Sequence, residues 1–456
     1  MFGPLANPTY ARLFSAQVIA LVGTGLTTVA LALLAHALAG ENAGLVLGTA
    51  LAIKMVAYVT LAPIAGALAQ AVPRRTFLIT LDLARAAIVL CLPFVTAVWQ
   101  IYVLIFLLQA CAAGFTPVFQ ATIPDIIKEE QEYTKALSLS RLSYDLESLV
   151  SPVLAGVALL LVSFSTLFVA NSVAFVISAL LVFSTTLPRP VETIKIAGVF
   201  ARTTFGIRAY LGTPRLRGLL AMSMAVAAGG AMVIVNTVVY VRTALGMGEP
   251  ETALLLAAFG GGSMAAALIM PRLLEKVDDR TVMVAGGVSM ALALFCGIAL
   301  PGFTVVALLW FILGAGYSAT LLPAGRLLRR SSSEADRPAF FAAQFALSHA
   351  CFLVTYPLAG WVGGAFGLAA AFVVLGMLVV CSTGVALLIW PAHDPVELDH
   401  HHAAFDHEHL HVHDEHHQHE HEGWEGPEPH AHPHRHGPLH HSHAFVIDAH
   451  HERWPS

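Results

Sequence analysis

Apolar runs recur along most of this chain, each long enough to cross a hydrocarbon core of about 30 Å as a helix of about 20 residues. They predict twelve spans, at approximately 11–39, 45–69, 76–97, 99–121, 138–163, 166–187, 215–243, 251–271, 280–300, 303–328, 338–364 and 368–391. The connections alternate in charge. Those after the even-numbered spans hold Arg74, Arg75, Lys128, Lys135, Arg189, Lys195, Arg202, Arg208, Arg215, Arg272, Lys276, Arg280, Arg329, Arg330 and Arg337. Those after the odd-numbered spans hold almost no basic residue, Arg242 being the main exception. Basic loops stay in the cytoplasm, so both termini are expected there. The expected fold is an all-α integral membrane protein with two six-helix bundles, residues 1–187 and 215–392. A loop at 188–214 joins them and a polar tail follows at 393–456.

The two halves repeat each other weakly. Pro73-Arg-Arg-Thr-Phe-Leu-Ile79 is echoed by Asp278-Asp-Arg-Thr-Val-Met-Val284, Gly114 to Pro124 by Gly314 to Pro323, and Pro152-Val-Leu-Ala-Gly156 by Pro357-Leu-Ala-Gly360. The common order and spacing argue for a duplicated six-helix unit.

Composition sharpens the class. Charged residues make up 12% of the chain, against roughly 25% in soluble domains. The net charge of −5 sums a basic face and an acidic tail, so it points to no nucleic-acid partner. Cys91, Cys111, Cys296, Cys351 and Cys381 stand singly within apolar segments and read as small buried hydrophobes. The first apolar segment is too long for a cleaved signal and is expected to remain as a span. No GxxxxGK[ST] loop or other energy-coupling domain is present. The expectation is a carrier rather than an enzyme, with no required cofactor, driven by an ion gradient or by its substrate's own gradient.

Ionisable side chains inside spans cost at least about 2.5–3.5 kcal/mol near the bilayer centre, which makes each a functional candidate. Span 3 holds Asp82 and Arg85, three apart on one helical face and able to pair. A packing pair near the inner gate is the simpler reading for them. In span 5, Arg141 and Asp145 are one turn apart, whereas Glu147 points about 200° away from Asp145. Lys54, the lysine inside span 2, is the expected partner of Glu147, either as a structural bridge or as a proton-sensitive site exchanging with a cation. His349 lies near the middle of span 11, the repeat-mate of span 5. It is read as either a packing residue or a ligand facing the same cavity. Proton antiport would use such groups.

Twenty of the 23 histidines lie in the tail: His400, His401, His402, His407, His409, His411, His413, His416, His417, His419, His421, His430, His432, His434, His436, His440, His441, His443, His450 and His451. They alternate with Asp and Glu and no cysteine accompanies them. Imidazole and carboxylate suit borderline divalent cations such as nickel, cobalt, zinc and copper. The tail is expected to be disordered without metal, having too few apolar residues for a core. Its short apolar run Ala444-Phe-Val-Ile447 is a docking candidate of unknown destination.

The twelve-span core resembles the major facilitator superfamily over residues 1–392. The family's loop after span 2, G-x-L-a-D-x-x-G-R-R/K, is matched by Gly66, Leu68, Arg74 and Arg75, while Gln70 replaces its acidic residue and Pro73 its second glycine. That departure questions the family's salt-bridge latch at this gating loop. Ser148 to Gly156 looks like a degenerate form of the superfamily exporters' glycine–proline motif. The tail, closing with His441-Ser-His443-Ala-Phe445-Val-Ile-Asp448, resembles that of NreB-type nickel-resistance exporters. The resemblance implies a monomer in the bacterial inner membrane that exports nickel, and cobalt beside it, from the cytoplasm; the histidine-rich tail itself reads as a segment collecting nickel, cobalt or zinc at the inner mouth. The competing readings are an exporter of small organic molecules, such as a drug or a metal–chelator (siderophore) complex, and a membrane-anchored metal buffer.

Overall fold

The structure, a computed structural model, describes residues 2–69, 71–187, 199–392 and 394. It further describes the backbone of 397–402, 405–411, 430–436 and 439–444, and residues 446, 447 and 454. The first half contains α1 (Pro8–Ala39), α2 (Ala43–Ala69), α3 (Arg74–Cys91), α4 (Val98–Ile126), α5 (Glu130–Leu159) and α6 (Phe164–Phe183). A connecting helix, α7 (Val199–Gly212), leads to α8 (Pro214–Val239), α9 (Glu249–Leu273), α10 (Asp279–Gly297), α11 (Phe303–Leu321), α12 (Ala324–Arg330), α13 (Arg337–Phe366) and α14 (Leu368–Ile389).

Eleven of these stretches are long and apolar enough to cross a membrane, or twelve if α5, bent by 41°, counts as one span. The protein is therefore multi-pass. Its outward side chains agree: Leu160, Leu161 and Leu388 are 82%, 85% and 87% exposed, which only an apolar solvent makes favourable. Cys91, Cys296 and Cys381 are exposed in the same manner and Cys111 partly so, which corrects the expectation of buried cysteines; only Cys351 is buried. A small apolar thiol costs nothing against lipid.

Two further expectations change, and one span carries an internal break. The stretch 188–214 was expected to be a loop, but Val199–Gly212 is a helix whose face is covered by the bundle. Phe205 stacks edge-on against Phe340 at 6.4 Å. The tenth span is one stretch, Phe303–Arg330, as expected, interrupted at Leu322-Pro323 between α11 and α12, because proline removes a helical donor and crowds the preceding turn. The tail is not wholly irregular. β1 (Glu397–His402) pairs antiparallel with β4 (Leu439–Ala444), and β2 (Phe405–His411) with β3 (His430–His436). The alternation of histidine with other residues has the period of a strand, and pairing satisfies backbone groups that a composition argument ignores.

The repeat is visible as packing. In the first half α1 lies on α5 and α6, α3 on α4 and α6, and α2 on α4. In the second, α8 lies on α13 and α14, α10 on α11 and α14, and α9 on α11. These are the same five contacts. The α9–α11 pair approaches to backbone contact. A Cβ at Gly262 would stand 1.9 Å from the Phe311 carbonyl oxygen, and one at Gly314 1.9 Å from that of Phe259. Small residues are how membrane helices pack closely.

Two arginines show why the duplicated Arg-Thr matters. Arg75 donates to the Phe183 carbonyl at the end of α6 and lies 4.4 Å from that residue's ring centroid. Its repeat-mate Arg280 donates to the Leu387 and Trp390 carbonyls at the end of α14, at 3.1 and 3.2 Å. Each satisfies orphan carbonyls and complements a helix C-terminus. The face of the molecule carrying these residues is the basic face.

Candidate functional site

The halves meet through two symmetry-related crossings, α5 on α9 and α13 on α2. Gly66 makes the second possible, since a Cβ there would lie 2.6 Å from that of Ala342. On the basic face the halves are latched by charge. Asp125, at the end of α4, pairs with Arg74 of its own half and with Arg337 of the other. All three side chains are at most 8% exposed. Arg74 also donates to the Glu334 carbonyl at 3.2 Å. The second half repeats the arrangement with signs reversed. Arg326, after α11, pairs with Asp279 of its own half at 2.8 Å and with Glu130 of the other at 2.7 Å. Arg330 joins Asp279 at 3.7 Å. Tyr133 donates across the same seam to the Gly325 carbonyl at 3.3 Å.

This corrects the doubt about the latch. Gln70 lies outside the described residues, but Arg74 does not need an acid at that position, because Asp125 supplies the charge from α4. Asp125, Arg337, Arg326, Glu130 and Asp279 were not among the sequence candidates. The signal was present in the repeat, where Arg74 aligns with Asp279, an inversion that makes sense only if each has a partner of the other sign.

Deeper in, Asp145 accepts from Arg141 at 2.6 Å and from Ser263 of α9 at 2.8 Å, while Arg141 donates to Ser263 at 3.0 Å. The Arg141 guanidinium lies 5.1 Å from the Tyr317 ring centroid. The expected local pair is thus also a bridge between halves. Asp82 is fully buried, pairs with Arg85 and accepts from Ser178 at 2.8 Å. Arg85 lies between Phe115 and Phe175, at 4.0 and 4.5 Å. Every contact here is within one half, the arrangement of a packing pair.

Lys54 and His349, from opposite halves, are brought to one aromatic ring, that of Tyr58. Lys54 stands on α2, Glu147 on α5 and His349 on α13, and all three are half-buried. Lys54 Nζ lies 5.6 Å from the Tyr58 ring centroid. That ring meets His349 edge-on at 4.8 Å and its hydroxyl donates to Gln109 at 2.8 Å. His349 Nδ1 lies 2.7 Å from the Phe345 carbonyl oxygen. A carbonyl only accepts, so Nδ1 carries the proton and Nε2 keeps its lone pair in the neutral ring. Phe345 and Phe352 flank the imidazole at 4.2 and 6.1 Å. Among the described residues no three His, Cys, Asp or Glu side chains converge as a metal centre. The tail histidines enter only as backbone, with His407 opposite His434, His409 opposite His432 and His411 opposite His430.

A many-span helical protein whose halves are joined by a breakable charge latch over buried ionisable groups has the build of an alternating-access transporter. The pattern of the Major Facilitator Superfamily matches residues 13–248 and 219–406, and the chain belongs to that superfamily. An uncharacterized MFS-type transporter, YfiS, of Bacillus subtilis (strain 168) is 26% identical over 125 residues, covering 27% of this chain and 30% of that protein. The chain thus matches under a third of that relative's length. Among solved structures, the human organic anion transporter MFSD10 (TETRAN) superposes with a TM-score of 0.72 at 9% identity, over 83% of this chain and 98% of that one. A bacterial homologue of the iron transporter ferroportin, in an outward-facing state, gives 0.69 at 13% identity over 84% and 98%. The E. coli fucose:proton symporter FucP gives 0.64 at 15% over 83% and 98%. At these identities the likeness is one of fold.

Proposed function

We propose that this transporter exports divalent metal cations, nickel foremost and cobalt beside it, from the cytoplasm of a bacterium in exchange for protons. In this reading the basic face is cytoplasmic, the protein is a monomer in the inner membrane, and the histidine-rich segment collects metal at the inner mouth. The observation that carries it is the placing of Lys54 and His349 against Tyr58 where the halves meet, with the half-buried Glu147 on α5, in a chain that holds 20 histidines just outside its membrane core. A free Nε2 and a carboxylate are ligands for a borderline cation, and both are proton acceptors. A site that must also release its ion is better built from two such groups and water than from a closed three-ligand cage. That a ferroportin homologue shares the fold supports the compatibility of this scaffold with metal cargo.

The aromatic lining of the same region, with Tyr58, Phe345 and Phe352 around His349, favours one second reading: an organic anion or chelated metal as cargo. Cells expressing the full chain should tolerate more nickel and hold less of it. Removing residues 400–456 should weaken that effect mainly at low nickel, because tethering raises the local metal concentration. Unchanged accumulation of nickel, cobalt and zinc would refute metal export, and drug tolerance that survives the truncation would favour the organic cargo.

A further inference from the structure

Beyond the histidine-rich stretch, Ile447 and Trp454 return to the bundle. Ile447 is 5% exposed and joins the apolar cluster of Tyr210, Leu216, Leu219, Phe340 and Trp390. Its Cδ1 lies 2.8 Å from where a Cβ on Gly212 would stand, so the glycine that ends α7 leaves the room it occupies. Arg215 is 1% exposed on the first turn of α8. Its guanidinium lies 5.0 Å from the Trp454 ring centroid, within the range of a cation–π contact. The same guanidinium pairs with Asp394 at 3.2 Å. Asp394 in turn accepts from Trp390 Nε1 at 3.3 Å and pairs with Arg330 at 3.5 Å.

One arginine therefore touches the chain where it leaves the membrane core and again near its end. We propose that the chain is clasped to the basic-face end of the second half on both sides of its histidine-rich stretch, at Asp394 and again at Ile447 and Trp454, and that the surface formed by Gly212, Arg215, Leu216 and Trp390 is the docking site for the chain's own Ile447 and Trp454. The chemistry of the site matches the occupant. An apolar slot takes a branched aliphatic side chain, and an arginine plane takes an indole. A charged residue this deeply covered needs both partners, since Asp394 neutralises it on one side and the ring shields it on the other. Composition alone would leave the histidine-rich stretch as a free tail sampling a large volume. The clasp ties the chain to one half on either side of that stretch, and Arg330 links the clasp to the latch through Asp279. The clasp does not depend on what that stretch binds.

Crosslinking tests this in the full chain, with the five native cysteines replaced by serine. Gly212→Cys combined with Ile447→Cys should form a disulfide under diamide, read as a linked peptide by mass spectrometry. It should form about tenfold faster or more than with the pair Gly212→Cys and Gly426→Cys, because the docked thiols share a raised effective concentration. Trp454→Ala should slow it. Equal rates for the two pairs would mean a free tail and would overturn the proposal. Hydrogen exchange on the unaltered chain provides a second arm. Amides around Val446 and Ile447 should exchange about tenfold more slowly, or slower still, than an unstructured peptide of the same sequence. Exchange at the unstructured rate would likewise overturn the clasp. Both readouts are independent of transport, so they stand or fall separately from the proposed cargo.

Discussion

Asp125→Asn should leave the basic face open. The carboxylate holds Arg74 and Arg337 together where all three side chains are buried. Neutralising it leaves two covered guanidinium groups without their counter-charge, and breaking a buried pair costs about 3–5 kcal/mol. Arg337 belongs to the other half, so the strain is relieved when the halves part and its head reaches water. The shift corresponds to about 100-fold or more in the balance between closed and open states. A cysteine placed at Ala342, which is fully buried against Gly66, should become reactive to a membrane-impermeant thiol reagent by a comparable factor. Lys128→Met is the control. Lys128 meets Glu334 across the same seam at 3.4 Å, but the side chains are 74% and 52% exposed, and such pairs contribute about 0–1 kcal/mol. Its effect should stay within about fivefold. If Asp125→Asn labels no faster than Lys128→Met, the latch does not hold the halves closed.

Glu147→Gln should abolish coupled transport while sparing the fold. Glutamine keeps the shape of glutamate but carries no charge to set against Lys54 and no exchangeable carboxyl proton. Coupled efflux should fall by about two orders of magnitude, the effect of ~2.7 kcal/mol on a barrier. Thermal stability in detergent should move little, since the side chain is half-buried. Asp82→Asn should do the reverse. Asp82 is fully buried and satisfied by Arg85 and Ser178 within one half, so its loss falls on stability first, by about 3–5 kcal/mol. A Glu147→Gln protein that still moves nickel against a gradient at the normal rate would remove this residue from the mechanism.

Much of this architecture was legible because lipid imposes a one-dimensional rule. A span must be apolar for its whole length, so α1, α4 and α14 announce themselves. Lys54, Glu147 and His349 stand out for the same reason, as mid-span ionisable groups without a local partner, and Lys54 and His349 share the Tyr58 ring. What escaped was long-range pairing. Asp125 lies at a helix end, where an acid is unremarkable in sequence, and its partners are far along the chain. Gln70 misled because the usual acidic position was empty while the charge had another source. The connecting helix α7 escaped because its basic residues resemble a loop, and its apolar side is explained only by Phe340 and Ala339, which cover it. The return of Ile447 to Gly212 was open in the sequence for want of a destination.

The most direct test is uptake of radioactive nickel into inside-out membrane vesicles, with and without an imposed proton gradient that is acidic inside. An exporter working by proton exchange should accumulate nickel in these vesicles when the gradient is present and lose that accumulation when it is collapsed, with Glu147→Gln vesicles matching vesicles that lack the protein. Nickel entry that is equal in all of these preparations would contradict proton-coupled metal export.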